Sequence, residues 1–220
     1  MPAGPSPARY RPHPGAVAAL AVICLAAVVS IPLSFPAGGG PTGFDRGIGD
    51  GIHHLLGTGR LVYDILVGPS DPYIILPVLL IGIAVRLWLR DWLGAVFLLV
   101  APELVVAINT WLLKPVWDRQ LRNYLAYPSG HTVQFVAIAT ALVLVAATAW
   151  IRRALAAVAC VALLSAGIGM VGRGYHYPTD IIGGAAFACP ATAVCWTAVS
   201  RPRQRGPHTG EPVTADHSGP

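Results

Sequence analysis

Six stretches of this chain, at residues 16–35, 72–90, 92–113, 131–151, 153–172 and 179–199, are strongly apolar and carry at most two charged residues apiece. A helix needs roughly 20 such residues to cross the about 30 Å of hydrocarbon in a bilayer. Backbone polar groups in lipid must be satisfied within the segment, so such runs can only be helices. The expected fold is therefore all-α, an integral membrane bundle of six transmembrane helices. Composition agrees: 55% of the 220 residues are hydrophobic and 11% charged, with a mean hydropathy of +0.61, against about 25% charged in a soluble domain. The first run follows Arg9 and Arg11, as in a signal peptide, but a signal's apolar region is only about 7 to 15 residues, so a retained span is expected.

Residues 1–15 are rich in Pro and Ala, and 200–220 are polar with several Pro and Gly. Neither tail has the apolar surface to order itself. The membrane domain is thus expected over 16–199, between two disordered tails. Between the first two spans, Phe44, Ile48, Ile52, Leu55 and Leu56 recur at helical spacing with Asp45, Arg46, Asp50, His53 and His54 interleaved, which suits a helix lying in the headgroup layer. No repeat of solenoid period is visible. Cys24, Cys160, Cys189 and Cys195 fall within the spans without Cys-x-x-Cys spacing and read as small buried hydrophobes.

Basic residues in short loops stay on the cytoplasmic side. With both termini inside, Arg9, Arg11, Arg86, Arg90, Arg152, Arg153, Arg201, Arg203 and Arg205 are cytoplasmic, and Arg46, Arg60, Lys114, Arg119, Arg122 and Arg173 lie outside. The net charge of +5 reflects topology, and no basic cluster points to nucleic acid.

Polar groups at one depth of a membrane tend to mark function. Lys114 ends the third span, His131 opens the fourth, Arg173 ends the fifth, and His176 and Asp180 open the sixth. Ends of odd spans and starts of even ones share a side, so all five fall on one membrane face. His176 and Asp180 are spaced i and i+4, on one face of a helix, where the carboxylate can accept the imidazole N–H and fix its tautomer. Ser129 and Gly130 lead into a helix whose first N–H groups lack partners, a natural anion site. Lys114 and Arg119 would neutralise a transferring phosphoryl group, and His131 could protonate the leaving oxygen. Glu103 and Asn109 interrupt the third span. Gly167, Gly169, Gly172 and Gly174 give the fifth a small-residue edge suited to close helix packing, and Trp111, Trp117, Tyr124 and Tyr127 fit an aromatic belt.

The strings Lys114 to Arg119, Tyr127-Pro128-Ser129-Gly130-His131 and His176-Tyr177-Pro178-Thr179-Asp180 resemble the three signature motifs of the type 2 phosphatidic acid phosphatase family, which read Lys-x6-Arg-Pro, Pro-Ser-Gly-His and Ser-Arg-x5-His-x3-Asp. The resemblance implies a metal-independent membrane lipid phosphate or diphosphate phosphatase, with no cofactor, acting at the extracytoplasmic face of the plasma membrane through a phosphohistidine. It casts His176 as nucleophile, Asp180 as its orienting group and His131 as general acid, with Lys114, Arg119, Ser129 and Gly130 on the phosphate. Two positions depart from the pattern. Leu121 stands where the first motif has its Arg, leaving Arg119 or Arg122 to grip phosphate, and Met170 stands where the third has its Arg, with Arg173 only three before His176. Polyprenyl diphosphate, phosphatidic acid and phosphatidylglycerol phosphate all fit as substrates. A lipid phosphotransferase of the same fold and a non-catalytic anionic-lipid transporter or binding protein are the competing readings. The second has no use for an oriented nucleophile facing an acid.

Overall fold

The computed structural model describes residues 10–200. The expected disorder of residues 1–9 and 201–220, and the placement of Arg9, Arg201, Arg203 and Arg205, lie outside the described residues. The described chain is almost entirely helical: α1 (Pro14–Ser30), α2 (Gly43–Leu56), α3 (Arg60–Val67), α4 (Pro72–Trp88), α5 (Trp92–Ile108), the short α6 (Lys114–Trp117), α7 (Gly130–Val145), α8 (Ala149–Gly172) and α9 (Pro178–Val199). The only sheet among the described residues is the two-residue hairpin β1 (Gln120–Leu121) and β2 (Tyr124–Leu125).

Five described segments are long and apolar enough to cross a membrane: Pro14–Ser34, Arg60–Trp88, Trp92–Trp117, Ala149–Gly172 and Pro178–Val199. The chain is a multi-pass membrane protein with an all-α bundle fold. The expected fourth span, 131–151, is shorter in the structure. α7 has 16 residues, about 24 Å at 1.5 Å per residue. It stops at Val145 because the chain turns extended at Ala146 and Thr148 caps the next helix, its Oγ1 accepting the Ile151 N–H at 3.4 Å. Arg152, expected at a loop, sits in α8 and donates to the Ala146 carbonyl at 3.3 Å.

α7 is the centre of the bundle and packs against α4, α5, α8 and α9. Its Val133, Ala137, Ile138 and Ala141 are fully buried with Leu98 and Val105 of α5 and Ala188 of α9. α1 covers α9 from outside. The last residues of the expected N-terminal tail are anchored rather than free: the Tyr10 carbonyl accepts the Trp196 indole N–H at 2.9 Å, and the Tyr10 ring lies 4.1 Å from the Arg152 guanidinium.

The headgroup-layer helix appears as α2, opened by a capping box in which Thr42 Oγ1 accepts the Asp45 N–H and Asp45 Oδ2 accepts the Thr42 N–H. α3 is the element that sequence periodicity did not reveal. It lies on the small-residue edge of α8, where a Cβ at Gly169 would come within 2.8 Å of the Tyr63 carbonyl oxygen and one at Gly172 would enter the Tyr63 ring. Overpacking of this kind costs about 1–3 kcal/mol. Gly172→Ala is therefore expected to lower the thermal unfolding midpoint in detergent by several degrees, whereas Gly167→Ala, whose Cβ meets only ordinary contacts at 3.9 Å, is expected to leave it within about a degree.

Candidate active site

α5 does not run straight into the loop that follows. It widens into a π-helical turn at Asn109–Leu113 before α6, and such bulges re-aim side chains. Asn109, one of the two polar interruptions in the third span, is fully buried there, and its Nδ2 donates to the Pro128 carbonyl at 3.5 Å. Lys114 follows and donates from Nζ to the Leu125 carbonyl. Glu103, the other interruption, is exposed on the outer face of α5.

The Tyr127–Gly130 segment is fixed from three sides. The Tyr127 hydroxyl donates to the Val28 carbonyl at 2.8 Å, the Ser129 N–H donates to the Asp180 carbonyl at 3.0 Å, and Ser129 Oγ caps α7 by accepting the N–H and hydroxyl of Thr132 at 3.3 and 3.1 Å. Tyr127 and Tyr124 are thus not belt residues. Tyr127 is wholly buried, and the Tyr124 hydroxyl donates to the Tyr175 carbonyl. Burial raises both phenols above their ordinary range, so both remain neutral donors. Trp111, by contrast, is exposed.

These elements surround a cavity of ≈ 690 Å³ lined by Lys114, Gly130, His131 and His176 together with Asp64, Val67, Asp71, Tyr124 and Tyr175. The His131 and His176 rings face each other across it, centroids 6.2 Å apart and 68° between planes. His131 is exposed to the cavity, while His176 is only 5% exposed. Sequence reading placed Lys114, Gly130, His131 and His176 here. It missed Asp64, on α3, and Asp71, the N-cap of α4, which also line the cavity.

The remaining sequence candidates sit around this cavity without lining it. Ser129 is fully buried beneath Gly130. Asp180 is buried behind His176, and its Oδ2 is 3.7 Å from His176 Nδ1, an ion-pair distance and too long for a hydrogen bond. In place of the expected direct bond, Oδ2 accepts the Tyr177 N–H at 2.9 Å and Oδ1 accepts from Arg119 at 2.7 Å. His176 Nδ1 has no hydrogen-bond partner. Arg173 turns to Asp64, with Nε 2.6 Å from Oδ1, and Nη2 donates to the Tyr175 hydroxyl at 3.0 Å. Arg122 is exposed at the hairpin tip with φ of 56°, its guanidinium beside Gly174.

Arg119 differs most from expectation. It is 1% exposed, and all five of its N–H groups are used. Nε donates to the Gly39 carbonyl at 3.1 Å, Nη1 to Thr179 Oγ1 and Asp180 Oδ1 at 2.7 Å each, and Nη2 to the Gly40 carbonyl at 2.9 Å and Asp45 Oδ2 at 3.0 Å. No donor is left for a phosphate, so the expected phosphate contact is not available in this structure. Asp45 also accepts the Thr179 N–H and hydroxyl at 2.9 and 3.0 Å. Gly39 suits the loop that wraps Arg119: its φ is +76°, and a Cβ would press the Gln120 amide at 3.2 Å.

Fold and site together define a class: a helical membrane protein with a polar, two-histidine cavity at one end of its bundle. The sequence matches the family model described as PAP2 superfamily over residues 76–204, well over half of the chain, and the protein belongs to that superfamily, the type 2 phosphatidic acid phosphatases. Among solved structures it is similar to the crystal structure of the first transmembrane PAP2 type phosphatidylglycerolphosphate phosphatase from Bacillus subtilis, with a TM-score of 0.64 and 16% identity over 84% of this chain and 97% of that one. That likeness concerns the fold. No curated protein sequence matches this one.

Asp45 yields a pH prediction. Burial opposes its ionisation, but the Thr42 and Thr179 amides, Arg119 and the Thr179 hydroxyl outweigh burial and hold its carboxyl below the ordinary 3.8. A depressed carboxyl contributes stability that is fully present above its unfolded value and lost as pH falls through the lower folded one. Acid unfolding followed by circular dichroism is expected to show a limb below pH 3.8 that is reduced in Asp45→Asn.

Proposed function

We propose that the protein is a lipid phosphate or diphosphate phosphatase working through a phosphohistidine. The observation that carries this reading is the pair of imidazoles facing each other across one cavity, flanked by the Lys114 ammonium and the amide end of α7 at Gly130. Anion binding alone would require the cations and helix terminus but no opposed pair of proton-transferring rings.

In the proposed reaction, the phosphoryl oxygens rest against Lys114 and the Gly130 N–H, which stabilise charge as it develops. His176 Nε2 attacks phosphorus, the P–O bond to the lipid breaks, and His131 as general acid gives a proton to the departing oxygen. The Nδ1–H of His176 faces Asp180, which offsets the positive charge the ring acquires. Water then attacks the phosphohistidine, His131 takes a proton from it, the P–N bond breaks, and inorganic phosphate leaves. Arg122, carried on the hairpin tip beside Gly174, is the arginine we assign to the outer phosphate oxygens in place of the Arg missing at position 121. Arg173 is held by Asp64 and supports the rim.

The reading takes α7 as a sixth crossing, with both termini cytoplasmic and the cavity at the outer face of the plasma membrane. A lipid substrate is supported by a second, almost wholly apolar cavity of ≈ 210 Å³ between α4, α7 and α8, lined by Pro69, Ile74, Val78, Phe135, Leu142 and Ala159 among others. Pro69 and Ile74 stand close in sequence to Asp71 of the polar cavity, and in the proposed reading the headgroup sits in the polar cavity and the apolar chain in the other.

Purified protein in detergent is expected to release inorganic phosphate from a lipid phosphate in the presence of EDTA, with His176→Ala lowering the rate by at least about 10³-fold. A strict requirement for added divalent metal would contradict the mechanism.

A further inference from the structure

We infer that Arg119 and Asp45 are positioning residues that act through Asp180, and that Arg119 is not a phosphate ligand; the inference rests on the phosphatase reading. Three observations converge on it. The Arg119 guanidinium has no free N–H and is walled off from the cavity by Asp180, Thr179 and the Gly39–Gly40 carbonyls. It is sandwiched between aromatic faces, 3.8 Å from the Phe35 centroid and 4.6 Å from that of Tyr177, so it cannot swing toward the cavity without dismantling that stack. Its two ionic partners are carboxylates of different purpose: Asp45 comes from α2, outside the stretch matched to the family, and Asp180 stands directly behind His176.

The chemistry follows from how each oxygen is used. An Asp side chain left free at the first turn of α9 would rotate about χ1 and χ2. Here Oδ1 is fixed by Arg119 and Oδ2 by the Tyr177 N–H, which holds Oδ2 3.7 Å from His176 Nδ1, a nitrogen with no hydrogen-bond partner. Asp45 holds the other side of the guanidinium and, through the Thr179 N–H and hydroxyl, the same turn of α9. The headgroup-layer helix α2 thereby fixes the orientation of the carboxylate that faces the attacking ring. Misplacement of a catalytic group by about 1 Å can cost on the order of 10²-fold in rate, while substrate contacts stay intact.

The test uses the full chain in detergent, with wild type, Arg119→Lys, Asp45→Asn and, as reference, Lys114→Ala. Three quantities are measured: kcat and KM for a short-chain phosphatidate, the Kd of inorganic phosphate by calorimetry, and the thermal midpoint, so that rates refer to folded protein. Arg119→Lys is expected to lower kcat by about 10²-fold and Asp45→Asn by about 10-fold, with KM and the phosphate Kd within about 2-fold of wild type in both. Lys114→Ala is expected to weaken phosphate binding. Phosphate affinity falling in Arg119→Lys as it does in Lys114→Ala would overturn the inference, as would a lowered thermal midpoint with kcat per folded molecule unchanged. If wild type releases no phosphate, the proposed function fails instead. The phosphate Kd of Arg119→Lys then still decides whether Arg119 is a ligand: an unchanged value supports the inference and a weakened one overturns it.

Discussion

One arginine, enclosed by protein on every side, ties this structure together. Arg119 faces two carboxylates, Asp45 at 3.0 Å and Asp180 at 2.7 Å, with all three side chains fully inaccessible. Buried charges are tolerated only when paired and hydrogen-bonded, and removing one partner of such a pair costs about 3–5 kcal/mol. The cluster carries one more negative than positive charge, and the difference is absorbed by donors from Thr42, Thr179 and Tyr177. Hence three segments distant in sequence, the 39–45 loop and helix start, the 119 turn and the start of α9, are tied together at one buried node.

That arrangement sets the geometry of the cavity. The start of α9 is joined to the start of α7 by the bond from the Ser129 N–H to the Asp180 carbonyl, so the node that fixes Asp180 also fixes the helix end carrying Gly130 and His131. The other wall is set by packing. Glycines on α8 let α3 approach until Tyr63 and Val67 touch the helix backbone, and this contact brings Asp64 to the cavity and supplies the ion partner of Arg173. The cavity therefore carries two acids beside one lysine, Lys114, a different field from the one a row of phosphate-gripping arginines would give.

What was legible in the sequence follows from physics that acts locally. Apolar runs marked the spans, and the i, i+4 pair His176 and Asp180 and the Ser129–Gly130 cap marked the site, because each is a statement about neighbouring residues on one helix. Asp45 and Arg119 were visible as charged residues, but their meeting was not. Nothing local indicates that residues 74 positions apart will neutralise each other, and Arg119 was assigned to phosphate from its nearness in sequence to the Ser129–Gly130 site and from its motif position. α3 was hidden because its eight residues are too few for an apolar period to stand out, and the glycine edge that receives it appears only as a small-residue spacing on another helix. The boundary between α7 and α8 was placed at the Arg152–Arg153 pair, although a threonine cap at position 148 decides it and the arginine simply bonds back to the preceding helix end.

In the proposed mechanism His176 and His131 address one phosphorus from opposite sides. A structure of the protein with orthovanadate, whose trigonal bipyramid imitates a phosphoryl group in transfer, tests it most directly. The expected structure has vanadium bonded to His176 Nε2, the opposite apical oxygen facing His131, equatorial oxygens on Lys114 and the Gly130 N–H, and Arg119 still bound to Asp45 and Asp180. Vanadate bonded elsewhere, or held by Arg119 with the His176 ring turned away, would contradict it.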